Sequence, residues 1–529
     1  MTTQPGITRR TFLGGALLAP LFPLLTSVAR SEELNTGFDW GPAQSFSFDW
    51  LREQARQLAA QPYRAPLIRH PEVLERIDFD AYQQIRYRPE DALWAKGDGP
   101  YPVQFFHMGK LFQAPVRMHL VHDGMAREIL YSPRLFTFGK ASFAADLPDD
   151  MGFAGFRVMH SSTQRRDWLA FLGAAYFRSA GELDQYGLSA RGVAIGTGLS
   201  TPEEFPYFVS FWLEAAADPR ALVIYALMDG PSISGAYRFL ASRQEQVVMD
   251  VEAVLFARTA ITRLGIAPMT SMFWYSETNH MQSRDWRPEI HDNDGLALWT
   301  GAGERIWRPL NNPLGVQTSS FFDNNPKGFG LLQRDRNFEN YQDDLVFYER
   351  RPSLWVEPLE PWGEGAVQLV EIPTTFEADD NIVAYWVPQA PVQAGSTWTF
   401  KYRLHWVANE PWPSSLGRVI ATRLGRGGNP GMRVPPPNKG KIVIDFAGGP
   451  LNQLEGKAPV QLVLNASGGK IDENFVIQVV GTKCWRAFFD IEVENMNPVD
   501  IRVYLRLGDL ALTETWIYQY IPYYRNLLN

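Results

Sequence analysis

Two short stretches of the chain place acidic side chains among turn residues and aromatic residues. The first spans residues 289–294, and the second spans residues 377–381, directly before the apolar segment 382–386. Hydrolysis of a glycosidic bond uses a pair of carboxyl groups, one to protonate the leaving oxygen and one to activate water. The chain has 58 Asp and Glu residues, so composition cannot select such a pair. Each stretch is also typical of a solvated turn that caps a strand.

Other common catalytic signatures are absent from the sequence. It contains no Gly-x-Ser-x-Gly, His-Glu-x-x-His or Walker motif. Cys484 is its single cysteine, which excludes a thiolate metal cage and an intrachain disulfide. His119 and His122 lie in a segment with strand periodicity, where residues three apart point to opposite faces. We therefore expect no metal and no cofactor.

Charge and aromatic content narrow the choice of partner. The formal net charge of −8 would repel a phosphate backbone, so we do not expect nucleic acid to bind. The 33 Phe, 20 Tyr and 17 Trp residues could stack against sugars, although large β cores are also rich in aromatic rings. Trp274, Trp307, Trp355 and Trp362 are candidate sugar platforms, and a core position is the open alternative for each.

The N-terminal residues have the pattern of an export signal. The adjacent Arg9 and Arg10 precede an apolar run over residues 16–25 and a small-residue cleavage pattern at 27–29. A transmembrane anchor would need roughly 20 uninterrupted apolar residues, whereas two prolines interrupt this run. We predict a twin-arginine signal over residues 1–29, a periplasmic location and no stable membrane anchor.

The elements that must position the acidic stretches are mostly short strands. Helical spacing predicts one clear helix over residues 48–59. From about residue 100, segments of alternating polarity separated by turn residues predict one large, mostly antiparallel β domain over residues 36–386.

A second β domain is predicted after a linker at residues 387–396, which is rich in Pro, Gln and Ala. Residues 398–406 alternate strictly between aromatic or apolar and polar side chains, and six further short strands follow. Seven strands in this length are typical of an immunoglobulin-like β-sandwich, here over residues 397–522. The predicted fold class is therefore all-β.

Longer motifs resemble the bacterial glucans biosynthesis proteins of the G and D types. They include Phe-Phe-His-Met-Gly at 105–109 and Asp-Asn-Asn-Pro-Lys-Gly-Phe-Gly at 323–330. Further matching segments are 152–157, 185–192, 265–273, 308–313 and 351–358. The resemblance runs from about residue 45 to residue 521, and the twin-arginine signal favours the D type.

The resemblance implies a β-sandwich similar to galactose mutarotase, followed by an immunoglobulin-like domain. It implies a periplasmic protein that acts on β-1,2-linked glucan, with a homodimer left open. Some D-type members cleave this glucan with inversion, and related members transfer the chain. Carried over by motif, Asp380 is the general acid, Asp292 is the general base, and Tyr348 assists near the substrate hydroxyls. The base of this family is thought to reach its water through a relay of hydroxyls and waters.

One departure from the family pattern bears on activity. Residues 427–440 form a shorter loop than in some D-type relatives, and the loop has no Trp to close over the substrate. Loss of a lid could change the balance between hydrolysis and transfer, or leave glucan binding without catalysis. A noncatalytic glucan-binding factor that guides synthesis or export is therefore the alternative hypothesis.

Overall fold

The computed structural model describes residues 37–140, 147–161, 163–280, 285–429, 431, 433, 436–495 and 497–522. The predicted twin-arginine signal at residues 1–29 lies outside the described residues. Strands dominate the described part of the chain, which confirms the prediction of an all-β protein.

The helix predicted over residues 48–59 is present as Phe48–Ala59. The hydroxyl of Ser47 accepts a hydrogen bond from the backbone N–H of Trp50 (3.1 Å) and caps its first turn. Leu51 and Ala55 are buried on one face of this helix. The shorter helical segments are Pro71–Leu74, Phe79–Tyr82, Pro89–Asp91, Pro133–Leu135, Phe338–Asn340, Tyr348–Arg350 and Gly449–Gln453. Within the described ranges, no helix has the length and apolar character needed to cross a membrane.

The largest set of hydrogen-bonded strands is called the main sheet here. Its neighbours are antiparallel, except that Arg117–His122 runs parallel to Tyr207–Ala215 and Arg305–Pro309 runs parallel to Thr515–Tyr520. Its strands are Asp39–Trp40, Gln44–Ser45, Met125–Leu130, Arg117–His122, Tyr207–Ala215, Ala221–Asp229, Ile233–Arg243, Val247–Ala257, Thr397–Val407, Ser353–Pro358, Gly328–Leu332, Gly295–Trp299, Arg305–Pro309, Thr515–Tyr520, Val499–Leu507, Gln461–Ala466 and Leu510–Ala511.

The second sheet is antiparallel throughout. In order of pairing, its strands are Gln317–Asn324, Glu364–Glu371, Ile382–Pro388, Leu264–Ser271, Ser189–Arg191, Tyr176–Ser179, Asp167–Leu172, Phe153–Met159 and Val103–His107, with Val193–Ile195 beside Leu264–Ser271. Two small strand pairs complete the first part of the chain: Phe273–Tyr275 with Ile290–His291, and Arg86–Tyr87 with Phe136–Thr137.

Aromatic side chains fill the space between the main and second sheets. Phe171 and Phe177 of the second sheet lie 5.4 and 5.3 Å, between ring centroids, from Phe239 of the main sheet. Such edge-to-face contacts add to the large apolar area that each ring buries. Because side chains alternate along a strand, the residues next to these rings point to the outer face of the second sheet.

The C-terminal part is a two-layered β-sandwich. A four-stranded sheet packs against the last strands of the main sheet through buried residues such as Ile442, Phe489, Val503 and Trp516. The four strands are Arg418–Arg426, Lys439–Ala447, Trp485–Glu492 and Lys470–Gln478. Sequence analysis missed the strand Arg418–Arg426, because a bulge after Val419 breaks its period of two.

The strand Thr397–Val407 occupies a different place from the one that the sequence suggested. It pairs with Val247–Ala257 on one side and Ser353–Pro358 on the other, so it belongs to the main sheet. Its apolar face, including Phe400 and Trp406, enters the core between the two large sheets. Alternation identifies the buried face of a strand but not which core receives that face. The domain division at residues 387–396 stays a prediction.

Candidate active site

Asp292 directly follows the strand Ile290–His291, which pairs with Phe273–Tyr275. Its backbone N–H donates a hydrogen bond to the carbonyl oxygen of Met272 (2.8 Å). The side chain is buried and forms an ion pair with the guanidinium of Arg351. A buried carboxylate needs such a partner, because burial removes its hydration.

The residue after Asp292 fixes the local backbone. The side-chain oxygen of Asn293 accepts a hydrogen bond from the Ser271 hydroxyl (2.6 Å). Its amide donates to the carbonyl oxygens of Leu331 (3.4 Å) and Pro352 (3.3 Å). Pro352 directly follows Arg351, so Asn293 ties the Asp292 segment to the segment that supplies its ionic partner.

Asp380 lies in the loop before the strand Ile382–Pro388 and is held in a similar way. The side-chain oxygen of Asn381 accepts from the backbone N–H of Phe273 (2.8 Å), and its amide donates to the Phe273 carbonyl (2.9 Å). Phe273 directly follows Met272, which anchors Asp292. Two adjacent residues of one segment therefore hold both candidate carboxyl groups.

The surroundings of Asp380 favour its protonated form. Asp380 is exposed in its loop, but the protein atoms packed around its carboxyl group desolvate it in part, and this desolvation raises its pKa to about 6. The negative charge of Asp292 raises the pKa further, while Arg191 and Arg178 lower it. A carboxyl group with a pKa near 6 keeps its proton in mildly acidic solution, where an ordinary Asp is ionised, and it can then serve as a general acid.

Tyr348 lies beside Asp292 and Arg351. The Arg351 guanidinium carbon is 4.1 Å from the centroid of the Tyr348 ring, and the Tyr348 hydroxyl donates to the Glu377 carboxylate (3.3 Å). Burial raises the pKa of Tyr348 above its usual value, so the hydroxyl keeps its proton. Arg287 donates to the same Glu377 carboxylate (2.7 Å) and holds it in place.

Two further desolvated acids, Glu289 and Asp294, lie within three residues of Asp292 in the sequence. His291 is 2.9 Å from Glu289 and 3.7 Å from Asp294, measured between ring nitrogen and carboxylate oxygen. Desolvation raises the pKa of Glu289 to about 8 and that of Asp294 to about 7. These groups hold protons near neutral pH. Among the residues that the structure describes, no group of three or more His, Cys, Asp or Glu is arranged to hold a metal ion.

The four candidate tryptophans fall into two sets. Trp274 is half-buried next to the site, where its carbonyl oxygen accepts from the Asn312 amide (3.0 Å). Trp307 and Trp355 lie in the core of the C-terminal sandwich, and Trp362 lies in the core between the two large sheets. The alternative left open by the sequence, a core position, is where the structure places these three.

Sequence reasoning missed Arg351, Glu377, Asn293 and Asn381 as parts of the site. One signal was present, because each candidate carboxyl group is followed by Asn, in two of the three Asp-Asn dipeptides of the chain. The structure shows what these Asn residues do. Each Asn side chain is almost completely buried, and it makes hydrogen bonds to backbone groups of a distant segment.

Comparison with known proteins finds relatives over nearly the whole chain. A family model described as "Periplasmic glucan biosynthesis protein, MdoG" matches residues 46–520. Glucans biosynthesis protein D 2 of Ralstonia nicotianae is 50% identical, with 98% of each chain covered. Glucans biosynthesis protein D of Xanthomonas campestris is 47% identical, with 97% of this chain and 98% of that protein covered.

Proposed function

Because this chain belongs to the MdoG family of periplasmic glucan biosynthesis proteins, we propose that it cleaves the glucose backbone of a periplasmic glucan. The linkage is β-1,2, and cleavage inverts the configuration at the anomeric carbon. One observation carries this proposal: Met272 and Phe273 anchor the two segments that carry Asp292 and Asp380, and desolvation together with the charge of Asp292 raises the pKa of Asp380 to about 6.

In the proposed reaction, Asp380 is the general acid. It donates its proton to the glycosidic oxygen as the bond from that oxygen to the anomeric carbon breaks, and the bonding electrons stay with the leaving oxygen. Its raised pKa supports this role, since an ordinary Asp would already have lost its proton at the same pH.

Asp292 is the general base of the proposal. Water attacks the anomeric carbon from the opposite face, and its proton passes through hydroxyl groups to the Asp292 carboxylate. Tyr348 supports such a relay, because its ring lies against the Arg351 guanidinium that pairs with Asp292, and burial keeps its hydroxyl protonated. After product release, Asp380 regains a proton and Asp292 loses one.

The same residues can transfer the glucan chain to another sugar. In that case a sugar hydroxyl replaces water as the nucleophile and gives its proton to Asp292, and the new glycosidic bond has the inverted, α configuration. Export by the twin-arginine route and assembly as a homodimer belong to the proposal as well.

The test is incubation of the purified protein with linear β-1,2-glucan, followed by chromatography of the products and polarimetry of new reducing ends. We expect shorter chains from hydrolysis, or chains of redistributed length from transfer. Measurable glucan binding without any new product would support the noncatalytic binding factor instead.

A further inference from the structure

One guanidinium group bonds to three carboxyl groups beside the candidate active site. The Nε of Arg287 donates to Asp285 (2.9 Å), its Nη1 donates to Asp343 (2.8 Å), and its Nη2 donates to Glu377 (2.7 Å). Arginine presents its N–H donors in a rigid plane, whereas lysine carries a point charge on a flexible stem. Arginine therefore suits this place, and we call the four side chains the Arg287 cluster.

The Arg287 cluster joins the three stretches of chain that carry the candidate site residues. Arg287 itself lies shortly before Asp292 in the sequence. Asp343 lies shortly before Tyr348, and Glu377 lies shortly before the candidate acid. These three stretches are far apart along the chain, so bonds between them must be made by side chains. The guanidinium of Arg287 supplies such bonds to both of the other stretches.

Arg287 is itself held firmly at both its backbone and its side chain. The Asp285 carboxylate accepts a second hydrogen bond, from the Arg287 backbone N–H (3.0 Å). The hydroxyl of the buried Tyr275 donates to the Arg287 carbonyl oxygen (3.0 Å). Tyr275 ends the strand Phe273–Tyr275, whose first residue anchors the Asp380 segment. Only 11% of the Arg287 side chain is exposed, so water competes little for its hydrogen bonds.

Asp343 uses its two carboxylate oxygens for different purposes. Its Oδ1 accepts from the backbone N–H groups of Leu345 (3.0 Å) and Val346 (3.0 Å), and its Oδ2 accepts from Arg287. The first oxygen shapes the turn that leads to Tyr348, and the second ties this turn to Arg287. An Asn side chain keeps one acceptor oxygen and places an N–H group at the other position. Asp343→Asn therefore removes the bond to Arg287 and keeps the turn.

Glu377 connects the Arg287 cluster to the hydroxyl of the proposed relay. Its Oε2 accepts from both Arg287 and the Tyr348 hydroxyl (3.3 Å). The Glu377 side chain is 39% exposed, which leaves it room to turn toward water. The short, charge-assisted bond from Arg287 opposes that rotation. The direction in which the Tyr348 hydroxyl points is therefore set by Arg287 through Glu377.

We propose that Arg287 is a positioning residue for glucan cleavage, which orients the Tyr348 hydroxyl through Glu377. This inference rests on the proposed function and adds a residue that acts on the reaction through other side chains. Arg287 affects kcat rather than KM, because the Tyr348 hydroxyl serves proton transfer and not the affinity for glucan. A purely structural arginine would affect the free energy of unfolding without this selective effect on kcat.

The experiment measures initial rates of β-1,2-glucan cleavage by the full chain over a range of glucan concentrations, with urea denaturation of each variant. Arg287→Lys keeps the positive charge and loses the planar donors, and Asp343→Asn tests the cluster even where Arg287→Lys impairs folding. Each is made alone and together with Tyr348→Phe. The matched control is Arg403→Lys, because Arg403 forms an ion pair with Asp250 on the outer face of the main sheet.

We expect Arg287→Lys to lower kcat about tenfold and Asp343→Asn to lower it about threefold, with KM within about twofold of the unmodified chain. In the Tyr348→Phe background, each should lower kcat by less than about twofold further, because the hydroxyl that they position is already gone. Arg403→Lys should leave both constants unchanged.

Two results would overturn the positioning role and leave the proposed function standing. One is an unchanged kcat in folded Asp343→Asn, and the other is a loss of kcat that is equally large with and without the Tyr348 hydroxyl. Absence of cleavage by the unmodified chain would overturn the proposed function and this inference with it.

Discussion

The negative charge of Asp292 raises the pKa of Asp380, and it is the largest charged contribution to that shift. Both residues are anchored to the segment that contains Met272 and Phe273. One segment therefore anchors both stretches of chain, and the charge of Asp292 favours the protonated form of Asp380. When the surroundings push the pKa values of two carboxyl groups apart, one group can act as the acid and the other as the base of one reaction.

Asp380→Asn tests the acid directly. The amide keeps the size of the side chain but has no acidic proton, so we expect glucan cleavage to fall by about 10²- to 10⁴-fold. Binding of linear glucan, measured by calorimetry, should stay within a few-fold of the unmodified chain. Asp344→Asn, an exposed carboxyl group on the neighbouring loop, is the control and should keep full activity. Retained cleavage in Asp380→Asn would remove Asp380 from the mechanism.

The pH dependence of kcat/KM should reflect the titration of Asp380 in the free protein. Its pKa is raised to about 6, so the acid is protonated below that pH and activity declines as the pH rises through it. The charge of Arg178 lowers this pKa, and Arg178→Gln should therefore move the alkaline midpoint to higher pH. A midpoint that stays in place, or moves to lower pH, would contradict the assignment.

Tyr348→Phe tests the relay between water and Asp292. The substitution removes the hydroxyl that donates to Glu377 and leaves the ring beneath Arg351. We expect kcat to fall by about 10²-fold, with KM changed much less, because the hydroxyl acts on proton transfer. Initial rates over a range of glucan concentrations separate the two constants. Tyr504→Phe, in a strand of the C-terminal sandwich, serves as the control, and an equal loss there would point to a general effect.

Asn381→Ala tests whether backbone anchoring places the acid. Asn381 is almost completely buried, and its side chain makes hydrogen bonds to both backbone groups of Phe273. Their loss leaves buried groups unpaired, which costs about 1–3 kcal/mol of unfolding free energy. The rate of glucan cleavage should fall as well. The control is Asn465→Ala at an exposed strand position, which should change neither the unfolding free energy measured in urea nor the cleavage rate. Full activity in folded Asn381→Ala would show that Asp380 is placed by other contacts.

The sequence predicts the carboxyl groups of this site better than it predicts what holds them. Asp292 and Asp380 are carried over from motifs that resemble the family, and their catalytic roles stay a prediction. Asn381 bonds to Phe273, which is 108 residues away, and no local pattern reports a contact of that separation. Thr397–Val407 shows the same limit for the fold: its alternation predicts a strand, while its partners lie far earlier in the chain.

Trp355 and Trp274 should respond differently to truncation. Trp355 is fully buried, and the glycines at 328 and 330 pack directly against its indole and backbone. Trp355→Ala therefore leaves a large cavity and should lower the free energy of unfolding by about 3–5 kcal/mol, measured by urea denaturation. Trp274 is half-buried beside the site, so Trp274→Ala should weaken glucan binding with a smaller loss of stability. The reverse pattern would mean that Trp274 is the structural ring, and it would remove Trp274 as a candidate sugar platform.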